Sequence, residues 1–172
     1  MKEKPFSIAY HKNYLAIEIG EGDDGAIFIV DITGKERAVI PGFTRIYGQF
    51  TGNTIRLALD YAKELVFVCD LVKERVHCLN FLGTLTWSVH VESPRGIILH
   101  EDHLFIASSE SNKIYQMSAD DGVLYMLFDE DNRIKRPRYI AFQPKLKTLA
   151  VEIDGNHIKL YSIMSGSEST EL

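Results

Sequence analysis

Short apolar segments, rich in β-branched and aromatic residues, alternate with brief polar segments along the whole chain. The polar segments are rich in Gly, Asp, Asn, Ser and Pro, the residues that favour turns. No window keeps an apolar face at helical spacing for more than about two turns. The pattern therefore predicts an all-β structure. The predicted strands cover residues 6–10, 14–19, 26–32, 38–40, 45–50, 55–60, 65–70, 75–81, 85–91, 96–100, 104–108, 113–118, 123–128, 138–143, 148–153 and 157–163.

A short phrase recurs at the start of four of these strands: a turn residue, two further residues and an aliphatic residue. The copies are residues 5–8, 54–57, 94–97 and 137–140, and their aliphatic residues are 49, 40 and 43 positions apart. A period of roughly 40–50 residues filled with short strands is typical of propeller blades. We therefore predict a β-propeller-like domain over residues 1–163, with about four blades of antiparallel strands at about 5–53, 54–93, 94–136 and 137–163.

A second repeated spacing supports these blades. Apolar runs end in a small polar or acidic residue at four places: Glu18, Asp70, Ser108 and Glu152. After the last three of these residues, the next strand follows at the same distance, at Val76, Ile114 and Ile158. The intervening residues are polar, as expected for hairpin turns. The first repeat departs from this spacing through residues 20–25, which we interpret as a longer loop.

The fourth repeat ends after its third strand, at Ile163, and residues 164–172 form a polar tail that we expect to be flexible. An incomplete last blade leaves a strand edge open, whereas propellers usually complete one blade with strands from both chain ends. We consider three explanations for the incomplete last blade. The chain is a fragment or truncated relative of a six-bladed ring, or two copies pair through their open edges, or residues 2–10 cross over and close a small ring.

Composition indicates a globular chain without a membrane segment. Its 172 residues are 45% hydrophobic and 25% charged, enough to bury a core. The apolar runs are far shorter than the roughly 20 residues that a membrane-spanning helix needs. The charged N-terminus resembles no secretory signal, and there are only two cysteines, Cys69 and Cys78. We therefore predict a cytoplasmic location and two buried, free thiols rather than a disulfide.

Several segments together resemble NHL-repeat propellers, above all the C-terminal propeller of tripartite-motif (TRIM) proteins. They are residues 94–97 (Pro-Arg-Gly-Ile), 104–108, 112–115, 119–122 and 137–140, and the resemblance covers residues 55–163. TRIM proteins are ubiquitin ligases through a RING domain, and their NHL propellers select protein or RNA partners. A RING needs about eight closely spaced Cys or His ligands, and this chain has two Cys and no such cluster. The resemblance therefore implies partner recognition without ligase activity.

The basic stretch at residues 133–138 is the sharpest charge feature, and we expect it near arginines at equivalent blade positions. The predicted partner-binding residues are Arg56, Arg95, Lys135, Arg136 and Arg138. Our leading hypothesis is a non-enzymatic module that binds a protein. RNA binding on the same basic face is the alternative, because such a surface attracts phosphates. Against RNA stand the net charge of −5, the acidic residues 129–131 and the expectation that Tyr139 belongs to the core.

A metal-dependent propeller hydrolase is a further alternative. Oxygens of Glu18, Asp70, Ser108 and Glu152 could surround a divalent cation. Their repetition in every blade instead favours a structural role, in which each side chain accepts backbone N–H groups of its own turn. His100 and His103 flank a short turn but supply only two potential zinc ligands. Because no catalytic motif occurs, we predict no enzyme activity and no cofactor.

Overall fold

The computed structural model describes residues 5–20, 25–41, 55–163 and 170–171. Within these residues, sixteen strands form four antiparallel sheets of four strands each. The chain divides into two compact units, residues 1–89 and residues 90–172, called unit 1 and unit 2 below. The predicted all-β class is confirmed. The predicted strand at 45–50 and most of the loop at 20–25 lie outside the described residues.

Unit 1 contains two sheets whose strands follow one another in chain order. The first sheet consists of β1 (Pro5–His11), β2 (Tyr14–Ile19), β3 (Ala26–Asp31) and β4 (Glu36–Pro41). The second consists of β5 (Ile55–Asp60), β6 (Leu65–Asp70), β7 (Arg75–Asn80) and β8 (Leu85–His90). Consecutive strands pair because short polar turns reverse the chain between them.

The core of unit 1 lies between these sheets and uses the aliphatic residues that defined the predicted strands. Strands β1 and β5 pack closely. Five of the six residues of β6 are buried, so this strand is covered on both faces. The buried aliphatic cluster comprises Ala16, Ile27, Ile29, Ile40, Ile55, Leu57, Leu59, Val66, Val68 and Leu79. Burial of aliphatic side chains supplies the main favourable contribution to folding.

Unit 2 also contains two sheets. The first consists of β9 (Pro94–His100), β10 (His103–Ser108), β11 (Lys113–Ser118) and β12 (Leu124–Phe128). The second consists of β13 (Ile140–Gln143), β14 (Thr148–Ile153), β15 (His157–Ser162) and β16 (Thr170–Glu171). Two short 3-10 turns, Glu130–Asn132 and Pro144–Leu146, were not predicted. Each is a single turn, too short to give a helical pattern in the sequence.

The last blade has one strand more than the sequence predicted. We predicted that it ends after its third strand at Ile163, with residues 164–172 as a tail. Instead β16 pairs with Tyr161 and Ser162 of β15, so the fourth sheet has a fourth strand, although of only two residues. A two-residue strand in a polar segment has no alternation from which the sequence could reveal it. The other residues of the predicted tail lie outside the described part of the chain.

Both cysteines are buried and free, as predicted. The register of β6 and β7 explains why, since it places Cys69 opposite Val76 and Cys78 opposite Phe67 rather than opposite each other. Burial raises the pKa of the Cys69 thiol well above its usual range, which keeps it protonated and unreactive. Within the described ranges, no helix is long and apolar enough to cross a membrane.

Candidate functional site

A polar cleft opens in unit 2 where four connecting segments come together. It has a volume of about 630 Å³. The β10–β11 turn, the first 3-10 turn, the segment that leads to β13 and the β14–β15 turn contribute its residues. They are Asn112, Glu130, Lys135, Arg136 and Asp154, and we call this group the polar cleft.

Asn112 holds the cleft together through both ends of its amide. Its Nδ2 donates a hydrogen bond of 2.7 Å to Oε1 of Glu130, and its Oδ1 accepts one of 2.8 Å from the backbone N–H of Arg136. On the other side, Arg136 Nε donates to Asp154 Oδ1 at 3.2 Å. The backbone N–H of Asp154 donates to the carbonyl of Lys135 at 3.0 Å. Hydrogen bonds therefore join all four segments.

The local sequence explains why these segments take this shape. Asn112, Arg136 and Asp154 adopt left-handed backbone conformations, with φ of 55°, 40° and 52°. Asn and Asp tolerate this region better than most residues because their short side chains bond to the nearby backbone. Asp129 begins the first 3-10 turn with a capping box that it forms with Asn132. Turn chemistry thus fixes the backbone that carries the charged side chains.

The charges of the polar cleft are balanced, with two basic and two acidic side chains. The Arg136 side chain is 68% exposed and that of its partner Asp154 is 34% exposed. An ion pair this accessible to water contributes only about 0–1 kcal/mol to stability. The pair therefore orients the guanidinium more than it stabilises the fold.

The structure brings together only part of the predicted site. Lys135 and Arg136 line the polar cleft. The exposed Arg138 lies beside it, close to Gly155, the residue after Asp154: a Cβ built on Gly155 would lie 3.9 Å from Arg138 Nη1. Arg95 and Arg56 lie inside strands β9 and β5, and neither lines the polar cleft. Both are half-buried, and Arg56 Nη1 donates to the Ile55 carbonyl at 2.8 Å. A partner-binding role for any of the five stays a prediction.

Sequence reasoning missed three residues of the polar cleft: Asn112, Glu130 and Asp154. Each lies in a segment that the sequence identified as a polar turn, but a turn pattern does not show what the turn faces. Tyr139 was expected in the core and is instead 58% exposed. Its neighbour Ile140 begins the short strand β13, which starts two residues later than predicted.

One of the repeated positions, Asp70, has the structural role that the repetition suggested, whereas Glu18 and Glu152 each have a buried Oε2 without a hydrogen-bond partner. The Oδ1 of Asp70 accepts the backbone N–H groups of Val72 at 3.0 Å and Lys73 at 2.9 Å. Asp60 binds the N–H groups of its own turn in the same way. Ser108 differs, since its hydroxyl donates to the carbonyl of Glu92.

The residues that the sequence suggested as ligands of a divalent cation or of zinc do not form a metal site in the structure. Among the described residues, no group of three or more His, Cys, Asp and Glu side chains could hold a metal ion. His100 and His103 are paired across the ends of β9 and β10. His100 packs against Phe142, with ring centroids 4.3 Å apart.

Glu18 is a buried ionisable group of unit 1. It is 7% exposed, and its Oε2 is buried without a hydrogen-bond partner. Burial raises the pKa of this carboxyl to about 7, although the positive charge of Arg56 opposes the shift. A carboxyl with a raised pKa is neutral in the folded protein over much of the range where the unfolded chain is ionised.

This environment predicts a stability that falls as pH rises. Above the unfolded pKa near 4.5, the unfolded chain releases the Glu18 proton while the folded protein keeps it up to about pH 7. Ionised Glu18 should therefore cost about 2 kcal/mol at pH 8, a figure reduced for partial screening by water. We expect Glu18→Gln to change the free energy of unfolding only slightly at pH 5 and to raise it by about 2 kcal/mol at pH 8. Urea unfolding followed by the fluorescence of Trp87, the single tryptophan, measures this difference.

A matched control is Glu36→Gln, because Glu36 is exposed. This substitution should change stability equally little at both pH values. If Glu18→Gln and the unmodified protein lost the same stability between pH 5 and pH 8, the buried carboxyl would not be the cause.

Comparisons with known proteins identify the fold of this chain but do not assign it to a family. No protein-family model matches the chain, and neither does any curated protein. Among solved structures, virginiamycin B lyase from Staphylococcus aureus, in a catalytically inactive form with quinupristin, has 15% identity over 98% of this chain, with a TM-score of 0.69. A streptogramin B lyase has 15% identity over 97% of this chain, with a TM-score of 0.65. The computationally designed Ika4 protein has 14% identity over 95% of this chain, with a TM-score of 0.62.

These structures differ in how much of each this chain spans. It covers 55% and 53% of the two lyases but 94% of the designed protein. Identities this low show the fold alone. Together with the four antiparallel sheets, the likeness to the lyase propellers shows that this chain has an all-β, β-propeller-like fold.

Proposed function

We propose that this chain is a non-enzymatic, NHL-type module that binds a protein partner at the polar cleft of unit 2. The supporting observation is the double hydrogen bond of Asn112, which links Glu130 to the backbone of Arg136. It holds exposed charges of both signs at defined positions before a partner arrives. Ordered loops lose less conformational entropy on binding, which favours specific recognition.

The balance of charge favours a protein over a nucleic acid. RNA-binding surfaces carry an excess of Lys and Arg to neutralise phosphates. In the polar cleft, Lys135 and Arg136 are matched by Glu130 and Asp154. A protein surface with both acidic and basic side chains complements this arrangement better than a uniformly negative strand.

RNA binding is the second candidate because of Tyr139. This aromatic ring is 58% exposed and follows the exposed Arg138 in sequence. Bases stack on exposed aromatic rings while neighbouring arginines contact phosphates. The test of the proposed function must therefore separate the two kinds of partner.

The test compares two variants in which an exposed lysine is replaced by glutamate, so that its charge is reversed. Lys135→Glu changes the polar cleft, whereas the control Lys145→Glu changes the exposed 3-10 turn between β13 and β14. A protein that the unmodified chain captures should be captured by the control and lost by Lys135→Glu. With this partner purified, we expect Lys135→Glu to weaken binding about tenfold and Lys145→Glu to leave it unchanged.

The same experiment with ribonuclease distinguishes the candidates. Capture that survives ribonuclease supports the protein-binding module. Capture that ribonuclease abolishes, or direct binding of single-stranded RNA that weakens steeply with salt, would support RNA binding instead. Equal effects of both lysine reversals would exclude the polar cleft as the binding surface.

Three further predictions accompany this proposal. They are membership of the NHL family, a cytoplasmic location and the pairing of two copies through open strand edges. A metal-dependent hydrolase stays the remaining alternative, and the Asp70 variants below bear on it. Light scattering behind a sizing column would compare the mass in solution with the 19.5 kDa of one chain.

A further inference from the structure

We propose that a second pocket in unit 2 binds a small planar aromatic carboxylate. The pocket has a volume of about 330 Å³ and lies where the β9–β10 and β13–β14 connections meet. Its lining combines Phe105, Phe142 and Ile163 with His100, Glu101 and Lys147, and we call it the aromatic pocket. This proposal is independent of the proposed function, because no residue of the aromatic pocket belongs to the polar cleft.

The half-buried rings of His100 and Phe142 provide surfaces for a flat ring, and the buried Phe105 supports them from the core. The rings of Phe105 and Phe142 have centroids 5.6 Å apart at an interplanar angle of 21°. His100 packs against Phe142, with the two ring centroids 4.3 Å apart. Aromatic ligands pack favourably in offset or tilted geometry against such rings. Phe105 is 4% exposed and belongs to the core, so this part of the pocket is held rigidly.

The charged residues at the rim favour an anionic group on the ligand. Glu101 Oε1 lies 3.9 Å from His100 Nε2, so this acidic side chain already has a basic neighbour. Lys147 forms no ion pair with any described residue. A ligand carboxylate at the rim would give its ammonium group a counter-ion, in a charge-assisted contact.

The backbone fixes the rim residues in place. Glu101 and Lys147 adopt left-handed conformations, with φ of 52° and 47°. The N–H of Lys147 donates to the Pro144 carbonyl at 3.2 Å, and the Lys147 carbonyl accepts from the N–H of Ile163 at 2.7 Å. The ammonium group therefore projects from an anchored turn rather than from a freely moving loop.

The position and size of the pocket suit a small ligand. In sheet β9–β12, the β9–β10 turn lies at the opposite end of β10 from the β10–β11 turn that carries Asn112. The aromatic pocket and the polar cleft thus use opposite ends of the same strands. Its volume is near the lower end of the roughly 300–1,000 Å³ of known small-molecule sites, enough for a fused ring with one substituent.

The test is a titration of the isotope-labelled full chain with 2-naphthoate, followed by amide chemical shifts. We expect shifts around Phe105, Phe142 and Lys147, with a dissociation constant of about 0.1–1 mM for a ligand of this size. Neutral 2-naphthamide and non-aromatic cyclohexanecarboxylate should each bind about tenfold more weakly, because each lacks one of the two contacts.

Matched lysine variants test the rim. Lys147→Gln should weaken 2-naphthoate binding about tenfold, whereas Lys145→Gln, two residues away on the same exposed turn, should leave it unchanged. Unchanged shifts elsewhere in the spectrum of Lys147→Gln would show that the fold is intact. The proposal is overturned by the absence of shifts at the pocket up to about 5 mM ligand, a range well above the expected affinity. It is equally overturned if 2-naphthamide or 2-naphthylmethylamine binds as tightly as 2-naphthoate, or if Lys147→Gln has no effect.

Discussion

Replacing Gly96 with alanine is expected to lower the free energy of unfolding of unit 2 by about 3 kcal/mol. A Cβ at this position would lie 2.5 Å from the carbonyl oxygen of Arg138 and 3.2 Å from Cγ2 of Ile140. The oxygen belongs to the backbone, so it can move only if the segment before β13 shifts away from β9. That shift would disturb the packing between the two sheets of unit 2.

Gly155→Ala is the matched control for this prediction. Gly155 lies in the same unit and has a φ of 77°, and the nearest atom to its added Cβ would be 3.9 Å away. Its substitution should cost only about 1 kcal/mol, from the left-handed backbone alone. Urea unfolding followed by the amide resonances of β10 measures both variants. Equal losses from the two substitutions would mean that contact with Arg138 is not what requires glycine at position 96.

Replacing Asp70 with alanine should destabilise unit 1 by about 3 kcal/mol. Asp70 is fully buried, and its Oδ1 accepts two backbone N–H groups of the turn between β6 and β7. Its Oδ2 lies 3.7 Å from Nε2 of His77. Alanine would remove the acceptor and leave both turn N–H groups without it. Trp87 lies near Phe67 in the same sheet, with ring centroids 5.9 Å apart, so its fluorescence reports the unfolding of unit 1.

The variant Asp70→Asn distinguishes two possible roles of Asp70, the acceptance of turn N–H groups and the binding of a metal ion. An amide oxygen can accept the same two N–H groups, so we expect this variant to lose only about 1 kcal/mol. If asparagine cost as much as alanine, the negative charge of Asp70, and not only its two hydrogen bonds, would be required for stability. A higher unfolding midpoint in millimolar calcium would favour the hydrolase alternative, because a bound ligand stabilises the folded state.

The hairpin turns show how far local patterns extend. Asp60 and Asp70 each end a predicted strand, Asn80 lies one residue before the end of another, and each side chain accepts backbone N–H groups of the turn that follows. Such contacts join residues two to four positions apart, so a short segment contains all the information they need. Most strand ends were predictable for this reason.

Tyr139 and β16 show where local patterns fail. The sequence predicted a strand over residues 138–143 and Tyr139 in the core, but the strand begins at Ile140 and the tyrosine is exposed. Strand β16 has only two residues, and it exists because β15 offers a free edge. Neither result is visible in a window of a few residues, because both depend on which neighbouring element is present.

The sequence by itself determined the all-β class, the repeat of about 40–50 residues, the turns and the two free thiols. These features follow from the two-residue period of strands and from the chemistry of single turns. Only the tertiary structure decided the sites. Asn112 meets Glu130 and Arg136 across 18 and 24 residues of sequence, and Phe105 meets Phe142 across a still larger separation. Contacts between distant loops depend on how the sheets pack and on the left-handed turns between them. In the sequence such turns can be identified by their polar residues, but the sequence does not show which other segments they contact.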